Sequence, residues 1–440
     1  MRWVEQYRSK VKSAEEAVRA VRSGDRVHIH NGCSKPSTLV DALVARAPEL
    51  RDVELVHMAC MGSADYVKPE YEGIFRHVAL FIGSNVRKAV QEGRADYIPI
   101  FLSEIESLFR SGAMPLDVTL LQCSPPDDYG FMSLCAGTDI ALTTAQTARH
   151  VIIEVNDQAP RIHGDAFLHV SKADTIVETS HPLCEYRSFD VTDVHRVIAK
   201  HVANLIPDGA TIQTGIGGIP EAVLIALKDH KEIGVHSEMC PDRVVDLIQS
   251  GVITNDRKSL HPHKVVTAFL LGTRKIFDFV HDNPAFEFHP TAYVNDPFVI
   301  AQNERMVAIN SAIEVDLTGQ VCADSVSNLP FSGFGGQVDF IRGASRSKGG
   351  VPIIALPATA KEGAFSRIVP SLKTAAGVVT SRADVRYVVT EFGVAYLHGK
   401  TLRQRAEALI QIAEPKFRDE LTEAAARMGY LDTKPSPAIA

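Results

Sequence analysis

The stretch TIQTGIGGIPEAVLIAL, residues 211–227, places a glycine-rich turn between a short apolar run and a longer run of helical character. Gly215, Gly217 and Gly218 allow a tight turn whose bare N–H groups approach a ligand, and Pro220 suits the first turn of a helix. The start of such a helix favours anions. We therefore expect a cofactor phosphate or a developing oxyanion at this turn; the alternative is a purely structural tight turn.

The same order of elements occurs twice in the chain. Residues 26–47, RVHIHNGCSKPSTLVDALVARA, also predict strand, glycine turn and helix. In the alignment of the two segments Gly32 matches Gly217, and Pro36 falls on Pro220 after a one-residue gap. The following runs, VELVHMAC and EIGVHSEM, align as well. This internal repeat favours two similar halves over several unrelated domains.

Short apolar runs such as HVIIEV, KVVTAF, MVAIN and VPIIALP recur through both halves. Continuous apolar runs are typical of strands buried on both faces, and hence of parallel sheets. The predicted fold class is α/β, with two similar open, mostly parallel-sheet domains. The boundary is expected in 178–193, which contains Pro182 and little periodicity; this divides the chain into 1–185 and 190–440.

Composition excludes several classes of function. With 440 residues, 45% apolar and 22% charged, the chain has the composition of a globular protein of two or three domains. A formal charge of −7 without long basic runs argues against nucleic-acid binding. No apolar segment reaches the roughly 18 residues of a membrane span, and the first residues lack a signal-peptide core. Seven dispersed cysteines without a CxxC pair fit reduced thiols, so a cytoplasmic protein is expected.

An acid follows the glycine turn at the end of the next predicted strand. Glu238, in HSEM, stands about where a dinucleotide-binding fold carries the acid that binds a ribose. That motif, however, requires glycine at its sixth position, where this chain has Pro220. The alternative interpretation is a nucleophile, because a carboxylate facing free N–H groups suits covalent acyl chemistry. The equivalent strand of the first half ends in HMACMGS, without an acid.

Several motifs resemble those of the acetyl-CoA hydrolase/transferase family, in particular its 4-hydroxybutyrate and butyrate CoA-transferases. They cover nearly the whole chain: PPDDYGFMSL, HGDAFLHVS, GIGGIPEAV, HSEM, GVITNDRK, GFGGQVDFIRGA and EFGVAYLHGKTLRQRAEALIQIAEP. The resemblance implies a two-domain α/β enzyme that uses coenzyme A as a co-substrate, without a metal or a redox cofactor. It also implies that Glu238 attacks the acyl-CoA and passes through a glutamyl-CoA thioester. A homo-oligomer is expected as well.

The resemblance further implies the residues that surround the reacting atoms. Oxyanion donors are backbone N–H groups of Ile216 or Gly217 and of Gly336. The residues expected to contact coenzyme A are Gly215, Ile216, Gly217, Gly218, Ile219, Asn310, Gly335, Gly336, Ala360 and Lys361. The second glycine-rich segment, residues 329–350, is expected to be a loop whose N–H groups and cations Arg342, Arg346 and Lys348 suit phosphates.

Other polar residues are weaker candidates. His261 and His263 flank Pro262 like a metal-binding pair, but no third ligand stands near them in the sequence, which favours a structural role. Glu391 ends another predicted strand and is expected to be structural. His30 and Asn31 lie at the first-half turn, where they face either the acyl pocket or the core.

Three functional hypotheses remain open at this point. The first is transfer of coenzyme A between a short acyl-CoA, 4-hydroxybutyryl or butyryl, and acetate. The second keeps the same pocket but admits water, which gives an acyl-CoA hydrolase. The third is a nucleotide-binding oxidoreductase or a non-catalytic CoA-binding protein.

Overall fold

The computed structural model describes residues 2–432, which form two large β-sheets flanked by helices. The strands of the first half, numbered in chain order, are β1 Arg26–Ile29, β2 Val53–His57, β3 Phe75–Ala79, β4 Asp96–Tyr97, β5 Val118–Cys123, β6 Phe131–Ser133, β7 His150–Asn156, β8 Phe167–His169 and β9 Thr175–Thr179. Its helices are α1 Arg2–Lys10, α2 Ala14–Ala17, α3 Ser37–Ala45, α4 Arg87–Gln91, α5 Ile105–Arg110 and α6 Ala141–Thr147.

The second half continues the same numbering. Its strands are β10 Thr211–Thr214, β11 Gly234–Cys240, β12 Val265–Leu270, β13 Phe286–Phe288, β14 Met306–Ser311, β15 Glu314–Asp316, β16 Val321–Cys322, β17 Ser325–Val326, β18 Leu329–Pro330, β19 Val351–Ala355, β20 Thr359–Ala360, β21 Phe365–Ser366, β22 Ile368–Val369, β23 Tyr387–Thr390 and β24 Gly393–Tyr396. Its helices are α7 Asp193–Ala203, α8 Gly218–Ala226, α9 Asp242–Gln249, α10 Arg274–Val280, α11 Thr291–Val294, α12 Pro297–Ile300, α13 Gln337–Arg346, α14 Leu402–Gln411 and α15 Arg418–Arg427.

The first seven strands of the second sheet repeat the order of the first sheet, which confirms the predicted repeat, and β24 adds one edge strand. The first runs β4-β3-β2-β1-β5-β7-β9, and the second runs β13-β12-β11-β10-β14-β19-β23-β24. Strand pairs within both sheets are parallel, except that β23 and β24 are antiparallel. In each sheet the order reverses beside its first strand, between β1 and β5 and between β10 and β14. Ligands of open α/β sheets bind outside the carboxyl ends of the strands at such a reversal.

Burial explains the continuous apolar runs in the sequence. Every residue of β5 and of β10 is buried, because helices and the neighbouring half cover both faces of the sheets. One core cluster draws on both halves, with Cys33 and Ile162 from the first half packed together with Ile212 and Val235 from the second. The two halves therefore share part of one apolar core.

Backbone contacts join the halves at several points. The Leu270 N–H donates to the Ala136 carbonyl at 2.8 Å, and the Leu102 N–H donates to the Gly335 carbonyl at 3.1 Å. A Cβ added at Gly137 would lie 2.6 Å from the Cβ of Phe269, so only glycine permits this approach of β12 to the first half. The carboxyl end of β12 and the segment before α13 are thus held against the first half.

Residues 180–192, between β9 and α7, form neither helix nor strand. In the chain, the strands of the first sheet precede this segment and those of the second sheet follow it. The division at 1–185 and 190–440 stays a prediction. The seven cysteines are free thiols, most of them buried. Among the helices of residues 2–432, none is both long enough and apolar enough to cross a membrane.

Candidate active site

Glu238 lies near the carboxyl end of β11, next to the strand that leads into the glycine turn. Strands β10 and β11 pair Thr211 with Gly234, and the Thr214 N–H donates to Ser237 Oγ at 3.4 Å. Continuing that register brings Gly215 beside Glu238. The glycine turn and the acid therefore share the carboxyl edge of the sheet, close to the reversal between β10 and β14.

The Glu238 carboxyl group is enclosed by groups that the sequence does not place near it. Asn295 Nδ2 donates to Glu238 Oε2 at 2.7 Å, and a Cβ at Gly336 would overlap both the carboxylate and the Asn295 amide. Burial raises the pKa of Glu238 to about 7, although the Asn295 hydrogen bond favours the ionised form. Glu238 is half-buried in β11. A partly desolvated carboxylate with one fixed donor keeps more basicity than a fully exposed one, and that favours nucleophilic attack.

A second acid lies behind this arrangement. Asp339, in the first turn of α13, is buried, and burial together with the charge of Glu238 raises its pKa to about 7. It accepts hydrogen bonds from the N–H of Ser103 at 3.1 Å and from Ser103 Oγ at 2.8 Å. Because Ser103 belongs to the first half, Asp339 fixes the start of α13 across the boundary between halves.

The first glycine turn has the conformation that the sequence predicts. Gly217 caps α8 with φ 136° and ψ 177°, a backbone conformation that only glycine adopts readily, and Pro220 lies in the first turn of the helix. The side chain of Ile216 is 39% exposed. Gly218 packs against His195 and the Asp190 carbonyl, so the segment between the halves covers one side of the helix start.

A small cavity lies on the other face of this turn. It is lined by the turn together with Met239, Pro220 and residues of the connecting segment that include Tyr186 and Phe189. Successive residues of a strand point to opposite faces, so Met239 faces this cavity while Glu238 faces the Gly336 side. The turn therefore separates the cavity from the carboxylate.

The second glycine-rich segment is not the continuous loop expected over residues 329–350. Helix α13 occupies Gln337–Arg346 within it, because Val338, Phe340, Ile341 and Ala344 recur at helical spacing and are buried. Gly335 and Gly336 precede the helix, and the segment is held against Phe81 of the first half. A helix N-terminus with its free N–H groups thus lies beside Glu238.

The three cations expected in this segment lie along and after α13 and have partners on the protein. Arg342 pairs with Asp384 at 3.3 Å, Lys348 pairs with Glu304 at 3.2 Å, and the Arg346 guanidinium lies 5.3 Å from the ring centroid of Phe298. Their proposed contact with phosphate stays a prediction.

The other residues expected to contact coenzyme A lie along the same edge of the second sheet. Asn310, on β14, is buried and its amide bonds to the Gln213 side chain at 3.0 Å, while the Gly215 N–H donates to the neighbouring Ile309 carbonyl at 3.0 Å. Ala360 and Lys361 lie in and just after β20, beyond the carboxyl end of β19. Three strand spacings, roughly 14 Å, separate β11 from β19.

The side chains of three weaker candidates are hydrogen-bonded within the fold. His30 bonds through its ring to the Gly137 carbonyl at 3.0 Å, and Asn31 bonds to Asp139 at 3.0 Å and to the Met58 N–H at 2.7 Å. Glu391 accepts the Ala358 N–H at 2.8 Å, in keeping with the expected structural role. His30 and Asn31, at the turn of the first half, are therefore hydrogen-bonded within the buried core.

Asn295, Asp339 and Ser103 are the site residues that sequence reasoning missed. Asn295 follows the four-residue helix α11, and Ser103 lies in a short turn before α5. Neither stands in a recognisable motif. Asp339 does lie within GFGGQVDFIRGA, and its place two residues after a helix start was the one available signal.

Comparison with known proteins identifies the family of this chain. The acetyl-CoA hydrolase/transferase N-terminal domain model matches residues 1–184, and the C-terminal domain model matches residues 272–425. A 4-hydroxybutyrate coenzyme A transferase of Clostridium kluyveri is 51% identical over 96% of this chain and 98% of its own length. A succinyl-CoA:acetate/propanoyl-CoA:succinate CoA transferase of Fasciola hepatica is 49% identical over 97% of this chain and 89% of its own.

A solved structure shows the same fold over the whole chain. The crystal structure of a 4-hydroxybutyrate CoA-transferase from Porphyromonas gingivalis superposes with a TM-score of 0.84 at 41% identity, covering 97% of this chain and 100% of that one. The two relatives and this structure each cover 96–97% of the chain, so the similarity extends through both halves. The chain belongs to the acetyl-CoA hydrolase/transferase family and is an enzyme, an acyl-CoA:carboxylate CoA-transferase.

Proposed function

We propose that this enzyme transfers coenzyme A between a short-chain acyl-CoA, 4-hydroxybutyryl-CoA or butyryl-CoA, and acetate, with Glu238 as the covalent nucleophile. The observation that carries the proposal is the environment of the Glu238 carboxyl group. It is partly desolvated, oriented by Asn295 and placed against Gly336, just before α13. The 51% identity to a relative named for 4-hydroxybutyrate supports the choice of a short acyl group.

Four exchanges complete the reaction without net consumption of water or protons. A Glu238 carboxylate oxygen attacks the thioester carbon, the C–S bond breaks, and CoA thiolate leaves an acyl-glutamyl anhydride. The thiolate then attacks Cδ of Glu238, the C–O bond breaks, and the first carboxylate departs from a glutamyl-CoA thioester. Acetate attacks Cδ and expels the thiolate, which finally attacks the acetyl carbon and returns Glu238 as its carboxylate.

Each attack creates an oxyanion that needs nearby N–H donors. The proposed donors are the backbone N–H of Gly336 on one side and that of Ile216 or Gly217 on the other. Gly336 caps the N-terminus of α13, whose dipole also favours negative charge. Loss of one such donor typically costs roughly 2.7–4 kcal/mol of transition-state stabilisation.

Coenzyme A is proposed to lie along the carboxyl edge of the second sheet. Gly215–Ile219 and Asn310 flank the strand reversal, Gly335 and Gly336 lie beside Glu238, and Ala360 and Lys361 lie past β19. Contacts far from the thioester bind the long CoA handle, and this binding energy can be used at the reacting carbon. The proposal needs neither a metal nor a redox cofactor for the transfer.

We propose that 1–185 and 190–440 are the two domains of the protein, that it acts in the cytoplasm, and that it forms a homo-oligomer. Light scattering on the purified protein tests the last point directly.

The experiment compares thiol release and acyl exchange from butyryl-CoA, with and without added acetate. A transferase forms acetyl-CoA only when acetate is present and releases little free thiol, whereas a hydrolase releases thiol without acetate. Glu238→Gln should abolish exchange. The matched control Glu314→Gln alters another buried acid, paired with Lys373 at 3.5 Å, and should retain it. Exchange that persists in Glu238→Gln would exclude the covalent role.

A further inference from the structure

A cluster of potential metal ligands lies outside the active site, near the end of β13. His261, Glu287 and His289 each direct one ligand atom into the same space, and these atoms lie within 4.8 Å of one another. His261 Nδ1 is 2.7 Å and His289 Nε2 is 3.5 Å from Glu287 Oε2. We propose that this cluster binds a divalent transition-metal ion, with Zn²⁺ as the best match to a set of two histidines and one carboxylate.

The sequence hides this site because the fold supplies its ligands from two segments. His261 and His263 resemble a metal pair in the sequence, where a structural role is favoured, and His263 indeed points to solvent. It contacts Asp256 at 3.0 Å with 72% of its side chain exposed. His261 turns instead toward β13. Glu287 and the residue just past that strand, His289, provide the second and third ligands.

The outer hydrogen bonds orient both imidazoles for metal binding. His289 Nδ1 bonds to Asp165 Oδ2 at 2.8 Å, and His261 Nε2 bonds to the Tyr293 hydroxyl at 2.7 Å. Without an ion, the 2.7 Å contact is a hydrogen bond that His261 Nδ1–H donates to Glu287 Oε2. An ion would replace that proton, and with the protons on the two outer nitrogens the lone pairs of His261 Nδ1 and His289 Nε2 would bind it. A carboxylate behind a histidine ligand is a recurrent support of zinc sites.

His289 Nε2 gives a second, independent indication. This nitrogen is buried and has no hydrogen-bond partner among the described residues. A buried polar atom without a partner is unfavourable, and a metal ion would satisfy it. The side chains of the three ligands remain 13–25% exposed, so an ion can enter from solvent.

Charge and distance are compatible with a dication. Glu287 and Asp165 bring two negative charges, and Lys264 Nζ, 3.8 Å from Glu287 Oε1, offsets one of them on the oxygen turned away from the histidines. Tetrahedral Zn²⁺ with bonds of about 2.0–2.1 Å requires ligand atoms roughly 3.4 Å apart. The His289–Glu287 separation of 3.5 Å already meets this, and the His261–Glu287 contact would open slightly.

The site would brace the segment that leads to the active site. Asp165 belongs to the first half, whereas the ligands and Tyr293 belong to the second, so the cluster crosses the boundary between halves. Tyr293 lies in α11, and Asn295, which holds Glu238, follows directly after that helix. A bound ion would therefore stabilise the fold around residues 286–295 without taking part in the transfer.

The test is binding of Zn²⁺ to the full-length protein after chelator treatment, measured by equilibrium dialysis against ZnCl₂ and by thermal unfolding. One ion per chain with a raised Tm is expected. His289→Ala should weaken binding by more than the roughly 10–100-fold that loss of an outer partner causes, and Asp165→Asn should fall within that range. The control His263→Ala should bind like the parent protein.

Two further measurements separate loss of the metal site from loss of the fold and report the coordination geometry. Unfolding of each variant in excess chelator shows whether its fold is intact before zinc is added, and the d–d spectrum of Co²⁺-loaded protein reports tetrahedral coordination. Absence of zinc binding below millimolar concentration in the parent protein would overturn the proposal. So would equal binding in His289→Ala, which would assign the ion to another part of the chain.

Discussion

At the scale of single residues, the chemistry depends on how far burial alters Glu238. Its carboxyl group has a pKa of about 7 instead of 4.5 because burial disfavours the charged form. The attacking species is the carboxylate. The rate of transfer should therefore rise with pH and level off above about pH 7.

The measurement is kcat/KM for butyryl-CoA between pH 5 and 9, which reports the ionisation of the free enzyme. Asp339 also titrates near 7, so the profile belongs to the pair. A rate already constant from pH 5 upward would contradict a nucleophile with a raised pKa.

The raised pKa of Glu238 should also make the stability of the protein depend on pH. Because the pKa of Glu238 is raised in the folded state, the folded protein binds more protons than the unfolded chain between about pH 4.5 and 7. The favourable contribution is complete below that window and is lost as the pH rises through it. Glu238→Gln should thus equal the parent near pH 4.5 and exceed it at pH 8 by on the order of 1–3 kcal/mol. Urea unfolding at both pH values checks this, and a variant less stable at pH 8 would refute it.

Asn295 should tune the nucleophile as well as position it. Its amide donates to the carboxylate and so lowers the pKa of Glu238. Asn295→Ala should reduce kcat and shift the midpoint of the pH–rate profile upward. A role limited to packing would reduce the rate equally at every pH and leave the midpoint unchanged.

At the scale of elements, the two glycine turns differ in why they need glycine. Gly336 has φ −95°, which alanine tolerates, but a Cβ there would overlap Glu238 and Asn295. Gly217 has φ 136°, which alanine does not tolerate, and the nearest neighbouring atom is 3.9 Å from its added Cβ. The first substitution should harm the site, and the second should harm the turn.

Gly336→Ala is therefore expected to lower kcat at least tenfold with a smaller loss of stability, whereas Gly217→Ala should lower both. Steady-state kinetics and thermal unfolding of the two variants distinguish these outcomes. A Gly336→Ala enzyme with parental kcat would show that the carboxylate moves freely from its observed place.

Elements were the level at which the sequence was most informative. The strand–turn–helix order and the repeat could be predicted because apolar runs indicate buried strands and glycines indicate tight turns, both of which depend on local sequence. Helix α13 was missed, since its glycine-rich flanks and its cations outweighed the helical spacing of Val338, Ile341 and Ala344. Asn295 could not be predicted either, because contacts between segments 57 residues apart leave no local pattern.

At the scale of the whole molecule, the site is completed across the boundary between halves. Ser103 of the first half donates twice to Asp339 at the start of α13. The second half carries Glu238 and the turn, yet the position of Gly336 depends on this link. The two repeats thus have different roles. The second half carries Glu238, and the first half fixes the start of α13 beside it through Ser103.

Ser103→Ala removes one of the two donors to a buried carboxyl group. We expect the free energy of unfolding to fall by roughly 1–3 kcal/mol and kcat to fall with it. The control Ser107→Ala loses an exposed hydroxyl on the same segment, which bonds to the Glu104 carbonyl at 2.6 Å, and should change stability by less than about 0.5 kcal/mol. Equal effects of the two variants would contradict the link between halves.

The most direct test of the central claim is to trap the covalent intermediate. The enzyme is incubated with acyl-CoA, reduced with borohydride and digested, and the peptide that contains residues 233–243 is examined by mass spectrometry. A glutamyl thioester should be reduced to an alcohol at Glu238, so that the peptide loses one oxygen and gains two hydrogens. An unmodified Glu238 in an enzyme that is actively exchanging acyl groups would contradict the account.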